Sequence, residues 1–565
     1  MDASEGQCTT SLHRNSPGIL AAFEWGRRTV TRWEVAPRAL WIAVLLGVCA
    51  LTLFANLGGR DLWGNDEARH AQRAREMLAS GQWLTPTYLG QPDFDKPPVH
   101  YWLMVSAARL WGVNDWVFCL PSALFGTITV LVTFALGVAC YGVAAGGMAA
   151  FVLATAFLFP YYARMAYVDV PLVACFTAAI WVGRGAVLTD RRWGGRVLGA
   201  AILLAAGAML KGLVGLLLPA LILGLGEPVP GRWRRLAVMV GLAVGIAAPL
   251  YIALGPGFTG RFLIVDHLQR FFVRSAELGG VYPWYFYGPT LCGNFLPWTV
   301  LLPAVVATVI GTRDGWRRWR LPLVWVGVTF LLLSLGANKR DPYLLPLFPG
   351  LALLVGAVAD EVLAGRAPQR VWPWWRAGVA ALGLGLGAAA LGLPWLWPAH
   401  LGAFSVGAGH LLLAALGGCV VWRSWNPKHR LAAACGAGIL VLGASQVLVW
   451  QALPAMNGSR SARAAAGILR AAARFSPVAV VGRDGVDAGL VYYLDLPPSQ
   501  TIRVAPGDLP DALRKGWQIL AARTALPPAV LASMDVVIRA HVRLRHTEYF
   551  LLEQAGAGSG PPSDN

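Results

Sequence analysis

ALWIAVLLGVCALTLFANL, Ala39–Leu57, followed after a short linker by GNDEARH, Gly64–His70, is the stretch that decides the fold. The first run is apolar over the length that crosses a bilayer, for which about 20 residues suffice. The second packs acids and cations side by side. Ionisable groups beside lipid are costly unless paired or solvated, so such a cluster marks a candidate functional site.

The same alternation of oily and polar segments runs outward along the chain. Of its 565 residues, 56% are hydrophobic and 13% charged, against about 25% charged in a soluble domain. Apolar runs recur from Trp41 to Trp450, and repeated runs of this length indicate a polytopic α-helical membrane protein. The expected plan is a cytoplasmic segment 1–38, a transmembrane part 39–452 with an external catalytic loop 58–115, and a small extracytoplasmic α/β domain 453–565. Strand-like runs at Val478–Val481 and Asp535–Ile538, with a helical segment Ser461–Arg474, support that last element. The polar stretch before Ala39 is too long for a cleaved signal peptide, so the first run is expected to be an uncleaved signal anchor.

The formal net charge of +18 reflects topology more than nucleic-acid binding. Arginine clusters at 191–196, 232–235, 313–320, 366–376 and 423–430 fall on alternate loops. Taken as cytoplasmic, they give about thirteen spans with the N-terminus inside and the C-terminal domain outside. No basic helix with interleaved aromatics lies outside the spans. The eight cysteines form no CxxC pair and read as small apolar residues. No internal repeat suggests the paired halves of a transporter.

Some cations violate the inside bias: Arg69, Arg73, Arg75, Lys96, Arg164, Lys211, Arg261, Arg270, Arg274, Lys339 and Arg340. An anionic lipid or phosphate would supply their partner. In the external loop, Asn65 is expected to cap a helix with Asp66 and Glu67 in its first turn and Gly81 at its end. Pro97-Pro98 precede a second helix, His100–Leu110. Both helices are too polar or too short to span.

Asp66 and Glu67 are candidate catalytic acids. Helix capping alone would account for their position, but not for Asp95 and Asp169 on the same external face. Lys211, Lys339 and Arg340 read either as interfacial side chains or as phosphate clamps. Tyr343 would add a hydroxyl or a stacking face. Asp95 and His267 are the candidate ligands for a divalent cation.

Asn65-Asp66-Glu67-Ala68-Arg69, Ala74-Arg75-Glu76-Met77, Phe94-Asp95-Lys96-Pro97-Pro98 with Tyr101-Trp102, Lys211-Gly212-Leu213-Val214-Gly215 and Lys339-Arg340-Asp341-Pro342-Tyr343 carry a resemblance. As an ordered set they resemble the bacterial aminoarabinose transferases of lipid A, relatives of the protein O-mannosyltransferases among the polyprenyl-phosphate-dependent (GT-C) glycosyltransferases. The tail resembles them more loosely, through Asn457-Gly458-Ser459-Arg460-Ser461 and Tyr492-Tyr493. The resemblance implies thirteen spans, an external soluble domain and an inverting transfer from a polyprenyl-phosphate sugar. It assigns Asp66 and Asp169 to the catalytic site, with Arg69, Lys96, Lys211, Lys339 and Tyr343 around phosphates, and a divalent metal nearby in some members. Against its pattern, Asp95 stands for Glu, His70 for Tyr and Asp93 for an aromatic. The last two lie in the acceptor region, which leaves sugar and acceptor open.

The expected protein is therefore a monomeric glycosyltransferase of the bacterial inner membrane. It would take a polyprenyl-phosphate sugar donor to a lipid A-like or other lipid or glycan acceptor on the periplasmic face. A divalent cation is a candidate cofactor, and neither a nucleotide cofactor nor nucleic acid is expected. The alternatives are protein O-mannosylation and a non-enzymatic transporter or flippase for an anionic lipid. A transporter would hold its charges near the bilayer midplane.

Overall fold

The computed structural model describes residues 32–188, 193–274, 280–312, 315–396, 408–473, 477–482, 486–526 and 536–555. Arg191, Arg192, Arg313, Arg474 and Asp535 lie outside them. The chain divides into two compact units, Met1–Val44 and Leu45–Asn565. In the first, the described residues are helical from Arg32.

Among the described residues, nine helices are long and apolar enough to cross a membrane. They become ten if the bent pair Trp284–Asn294 and Trp298–Gly311 forms one span. Val143–Thr155, Leu213–Gly226 and His410–Ser424 are shorter apolar helices. Large apolar side chains such as Ile252, Ile310 and Leu412 point outward, as lipid-facing residues do. The apolar run 144–162 does not form one continuous helix. Ala156 leaves helical geometry, and the Phe157 amide turns to the Leu296 carbonyl at 2.8 Å before a short helix Leu158–Ala163.

Close helix packing rests on small residues, as is usual where lipid supplies no hydrophobic drive between helices. A Cβ on Gly137 would stand 2.6 Å from the Gly146 Cα. One on Gly356 would stand 2.3 Å from the Ala149 amide nitrogen. These contacts lock the helices Asp115–Tyr141, Val143–Thr155 and Phe348–Leu363 together.

Between the spans lies the charged ledge. Its first helix, Asn65–Ser80, stops at Gly81, whose φ of 70° suits glycine. Its second, Val99–Trp111, follows Pro97-Pro98 as expected. Asn65 does not cap the first helix: Gly64 precedes it in extended geometry, and the Asn65 side chain accepts instead from the Ala488 amide at 3.1 Å.

The C-terminal region carries a five-stranded mixed sheet. In spatial order its strands are Thr501–Val504, Val478–Val481, Gln518–Ala522, Thr547–Gln554 and Val536–Leu544. The first three are parallel and the last two antiparallel. Val478–Val481 is buried on both faces, as a central parallel strand should be. The helices Arg463–Ala473 and Ala488–Leu494 contribute to the apolar core on one face, and Leu509–Arg514 to that on the other.

Gly356→Val should destabilise the detergent-solubilised protein, since overpacking costs typically about 1–3 kcal/mol and here meets backbone. A lower thermal midpoint with loss of a monodisperse elution peak checks this. An unchanged midpoint contradicts the packing.

Candidate active site

The ledge helix carries three buried charges. Glu67 and Arg73 are fully buried and Glu76 nearly so. A buried charge survives only with partners, and each has them. Glu67 receives Arg60 through both oxygens, at 2.5 and 2.9 Å, and accepts from the Trp63 and Ala166 amides. Arg73 donates to Asp93 at 2.7 Å, Tyr101 at 2.9 Å and Asp95 at 3.3 Å. Glu76 accepts from Gln72, the Thr87 hydroxyl and the Leu89 and Gly90 amides, which ties down the small hairpin leading to Asp93.

Asp66 points elsewhere. It lines a cavity of about 290 Å³ with Tyr162, Tyr167, Lys339, Arg340 and Asp341. Arg340 donates to its carboxylate at 2.6 Å. Asp66 and Glu67, expected as a catalytic pair, are thus separated: one faces the cavity, the other is enclosed and holds the loop. Adjacent helical residues diverge by about 100° around the axis, so neighbours in sequence rarely share a task.

A second set of charges converges on Tyr343. Lys211 lies 4.7 Å from its ring centre, and Arg270 donates to its hydroxyl at 3.2 Å. Arg340 precedes Tyr343 by three residues, and its carbonyl accepts from the Tyr343 amide at 3.2 Å. Each of these three cations has its own carboxylate: Lys211 pairs with Asp169, Arg270 with Asp266 at 2.9 Å, and Arg340 with Asp66. Arg270 and Asp266 were visible in the sequence only as scattered charges. Their four-residue helical spacing was the available signal for pairing.

The remaining expected residues have other partners. Arg69 lies over the Tyr88 ring at 5.6 Å. Lys96 donates to Asp95 at 3.0 Å. Lys339 donates to the Gly336 carbonyl at 2.6 Å, and burial with nearby Arg274 lowers its pKa. Two cations expected to lie outside and to need a phosphate are satisfied within the protein. Arg164 caps the carbonyls of Thr52, Leu53 and Asn56 at a helix end, and Arg75 donates to the Tyr492 carbonyl.

The candidate metal ligands do not fit a divalent cation. Burial alone would raise the Asp95 carboxyl, but Lys96 and Arg73 outweigh it and hold it well below the usual carboxylate range. Those same cations would repel a metal ion. Both His267 ring nitrogens face backbone carbonyls, of Phe262 at 2.7 Å and Lys211 at 3.2 Å. Among the described residues no three His, Cys, Asp or Glu gather as a ligand set.

A family model described as dolichyl-phosphate-mannose-protein mannosyltransferase matches residues 95–254. The undecaprenyl phosphate-alpha-4-amino-4-deoxy-L-arabinose arabinosyl transferase 1 of Sodalis glossinidius (strain morsitans) is 31% identical over 429 residues, 70% of this chain and 74% of that protein. The corresponding transferase of Edwardsiella ictaluri (strain 93-146) is 30% identical over 447 residues, 72% and 78% of the two chains. The chain belongs to this family of polyprenyl-phosphate-dependent membrane glycosyltransferases. ArnT from Cupriavidus metallidurans, crystallised with undecaprenyl phosphate, shares the fold with a TM-score of 0.71. That match has 20% identity and covers 93% of this chain and 99% of the other.

Burial, Arg73 and His100 lower the His70 pKa well below its ordinary value, and burial takes His100 from 6.5 down to about 3. Between those two values the unfolded chain binds more protons than the fold. Stability is therefore complete above about pH 6.5 and falls with acidification, by up to about 1.4 kcal/mol per pH unit for each such histidine. The thermal midpoint should drop between pH 7 and pH 5, and His100→Gln should reduce that slope. Equal slopes in the two proteins would contradict the assignment. Glu67→Gln should destabilise by about 3–5 kcal/mol, because it strands Arg60. Thermal unfolding checks this, and a wild-type midpoint would count against it.

Proposed function

We propose that the Asp66 cavity is where a sugar leaves a polyprenyl-phosphate donor for an envelope acceptor. The observation that carries this reading is the contact of two cations, Lys211 and Arg270, with Tyr343 beside a cavity in which a third, Arg340, pairs with Asp66. Each cation is balanced by one carboxylate, so the protein's own charges there sum close to zero. An incoming lipid phosphate would compete with those carboxylates for the cations.

In the reaction, the bond between the sugar's anomeric carbon and the phosphate oxygen breaks. Its electron pair stays with the polyprenyl phosphate, and an acceptor oxygen forms the new glycosidic bond with inversion. Fixed cations lower the barrier by stabilising charge that grows on the leaving phosphate. With a hydroxyl acceptor, Asp66 takes the proton. With a phosphate acceptor, which is already anionic, Asp66 orients it. Asp169 keeps Lys211 at its post, and Lys339 and Lys96 add positive potential nearby. Glu67 supports the loop and takes no part in the chemistry. Such a donor carries its own leaving group, so no nucleotide is required.

The relatives' names point to undecaprenyl phosphate-linked aminoarabinose as donor, and a lipid A-like acceptor follows from that reading. Protein O-mannosylation is the second reading, favoured by the matched mannosyltransferase model. A transporter is disfavoured, because the charges lie at the ends of candidate spans. Asp169 and Asp341 begin theirs, and Lys211 ends its own. Adding the bent pair and the three short apolar helices to the long ones gives thirteen spans. With arginine-rich loops inside, the ledge and the C-terminal sheet then face the periplasm.

Mass spectrometry of lipid A, surface polysaccharide and exported proteins, from cells with and without the gene, identifies the acceptor. Asp66→Asn should lower the transfer rate by about 10²–10⁴-fold if Asp66 is the base, and so resemble the deletion. Full modification by that variant would overturn the role of Asp66.

A further inference from the structure

The tail motifs Asn457 to Ser461 and Tyr492-Tyr493 have no part in the chemistry above, yet they reach the segment that delivers Asp66. The Asn457 amide oxygen accepts from the Asp61 amide at 3.0 Å and from the Trp63 indole at 2.6 Å. Its nitrogen donates to the Gly59 carbonyl at 3.0 Å. The Tyr493 hydroxyl accepts from the Leu62 amide at 2.8 Å and donates to Asp115 at 2.7 Å. Arg545 donates to the Trp63 carbonyl at 2.5 Å and to Asp487 at 3.3 Å. Backbone groups at four positions between Gly59 and Trp63 are therefore held by side chains from the C-terminal region. A loop normally leaves such groups to water.

Arg545 adds an independent sign. It sits in the tight turn between the last two strands with φ of 57°, a left-handed geometry in which glycine would be at ease and arginine is not. Strained backbone of this kind persists where the surroundings over-determine it and often serves a function. Here it aims the guanidinium at Trp63.

We infer that the C-terminal region is a clamp that positions Asp66, with Asn457, Tyr493 and Arg545 as its positioning residues. They touch no reacting atom. They set the path of Gly59–Trp63, and thereby the point where the ledge helix begins and the direction in which Asp66 enters the cavity. The inference rests on the reading of Asp66 as the residue that activates or orients the acceptor. It also gives the soluble region a task in the transfer step itself, beyond solubility or acceptor capture.

The test uses Arg545→Gly and Asn457→Ala in the full-length protein, each alone and combined with Asp66→Asn. Arg545→Gly relieves the strained turn and leaves Asp487 the Gly489 amide as partner, and its thermal midpoint is measured so that unfolding is told apart from misplacement of Asp66. Initial rates are read in membranes as transfer of the sugar found by the mass spectrometry above. Binding of undecaprenyl phosphate to the purified protein is read by thermal shift. Each clamp variant should lose up to about 100-fold in rate, the scale expected from a displacement near 1 Å, with undecaprenyl phosphate binding retained. Combined with Asp66→Asn, neither should cost anything further, because a clamp acting through Asp66 has nothing left to position. Wild-type rates in both clamp variants beside an inactive Asp66→Asn overturn the clamp and leave Asp66 standing. Additive losses overturn it as well. Full activity in Asp66→Asn overturns the underlying reading instead. If Asn457→Ala fails to fold, Arg545→Gly and Tyr493→Phe carry the same test.

Discussion

The ion pair between Arg60 and Glu67, shut away from water, is what the ledge depends on. It closes the loop after the first span back onto the helix that follows. Through the Ala166 amide and the Arg164 carbonyl it also ties that helix to the short segment before Asp169. Removing two charges from water is expensive and is recovered only when geometry is good on every side. The pair therefore tolerates little movement, and the start of the ledge helix inherits that restraint. Asp66, one residue earlier, is held at the cavity by the enclosure of its neighbour.

Charge balance is the second organising feature. The cations round Tyr343 are each matched to a carboxylate, and two of those carboxylates lie on transmembrane helices while the third lies on the ledge. Paired in this way, the charges can sit near lipid without a ligand. A phosphate entering among them would exchange one anion for another, so binding need not bring unpaired charges together from water. Under the proposed reaction, a phosphate that drew Arg340 away would leave the Asp66 carboxylate free for the acceptor.

Much of this was legible in the sequence. The first span followed from apolar length, and the ledge helices from Gly81 and Pro97-Pro98. The strand Val478–Val481 has the bounds expected for it. Side-chain direction was not legible. Asp66 and Glu67 look equivalent on paper and diverge because consecutive helical residues point apart. Arg73, Arg75 and Arg164 looked like cations in want of a phosphate, but their partners come from distant segments that no local pattern announces. Asn65 satisfied a local capping rule that a tertiary contact with Ala488 overrode. The tail motifs were recognisable only as resemblance; their grip on Gly59–Trp63 depends on residues some four hundred positions apart coming together.

The most direct test of the account is an electron cryomicroscopy structure of the full-length protein in lipid nanodiscs with undecaprenyl phosphate. Phosphate density is expected among Lys211, Arg270, Arg340 and Tyr343, open to the cavity that Asp66 lines, with the Arg340 side chain turned from Asp66 toward the phosphate. Phosphate density at the arginine-rich ends of the helices, with the Asp66–Arg340 pair intact, would contradict it.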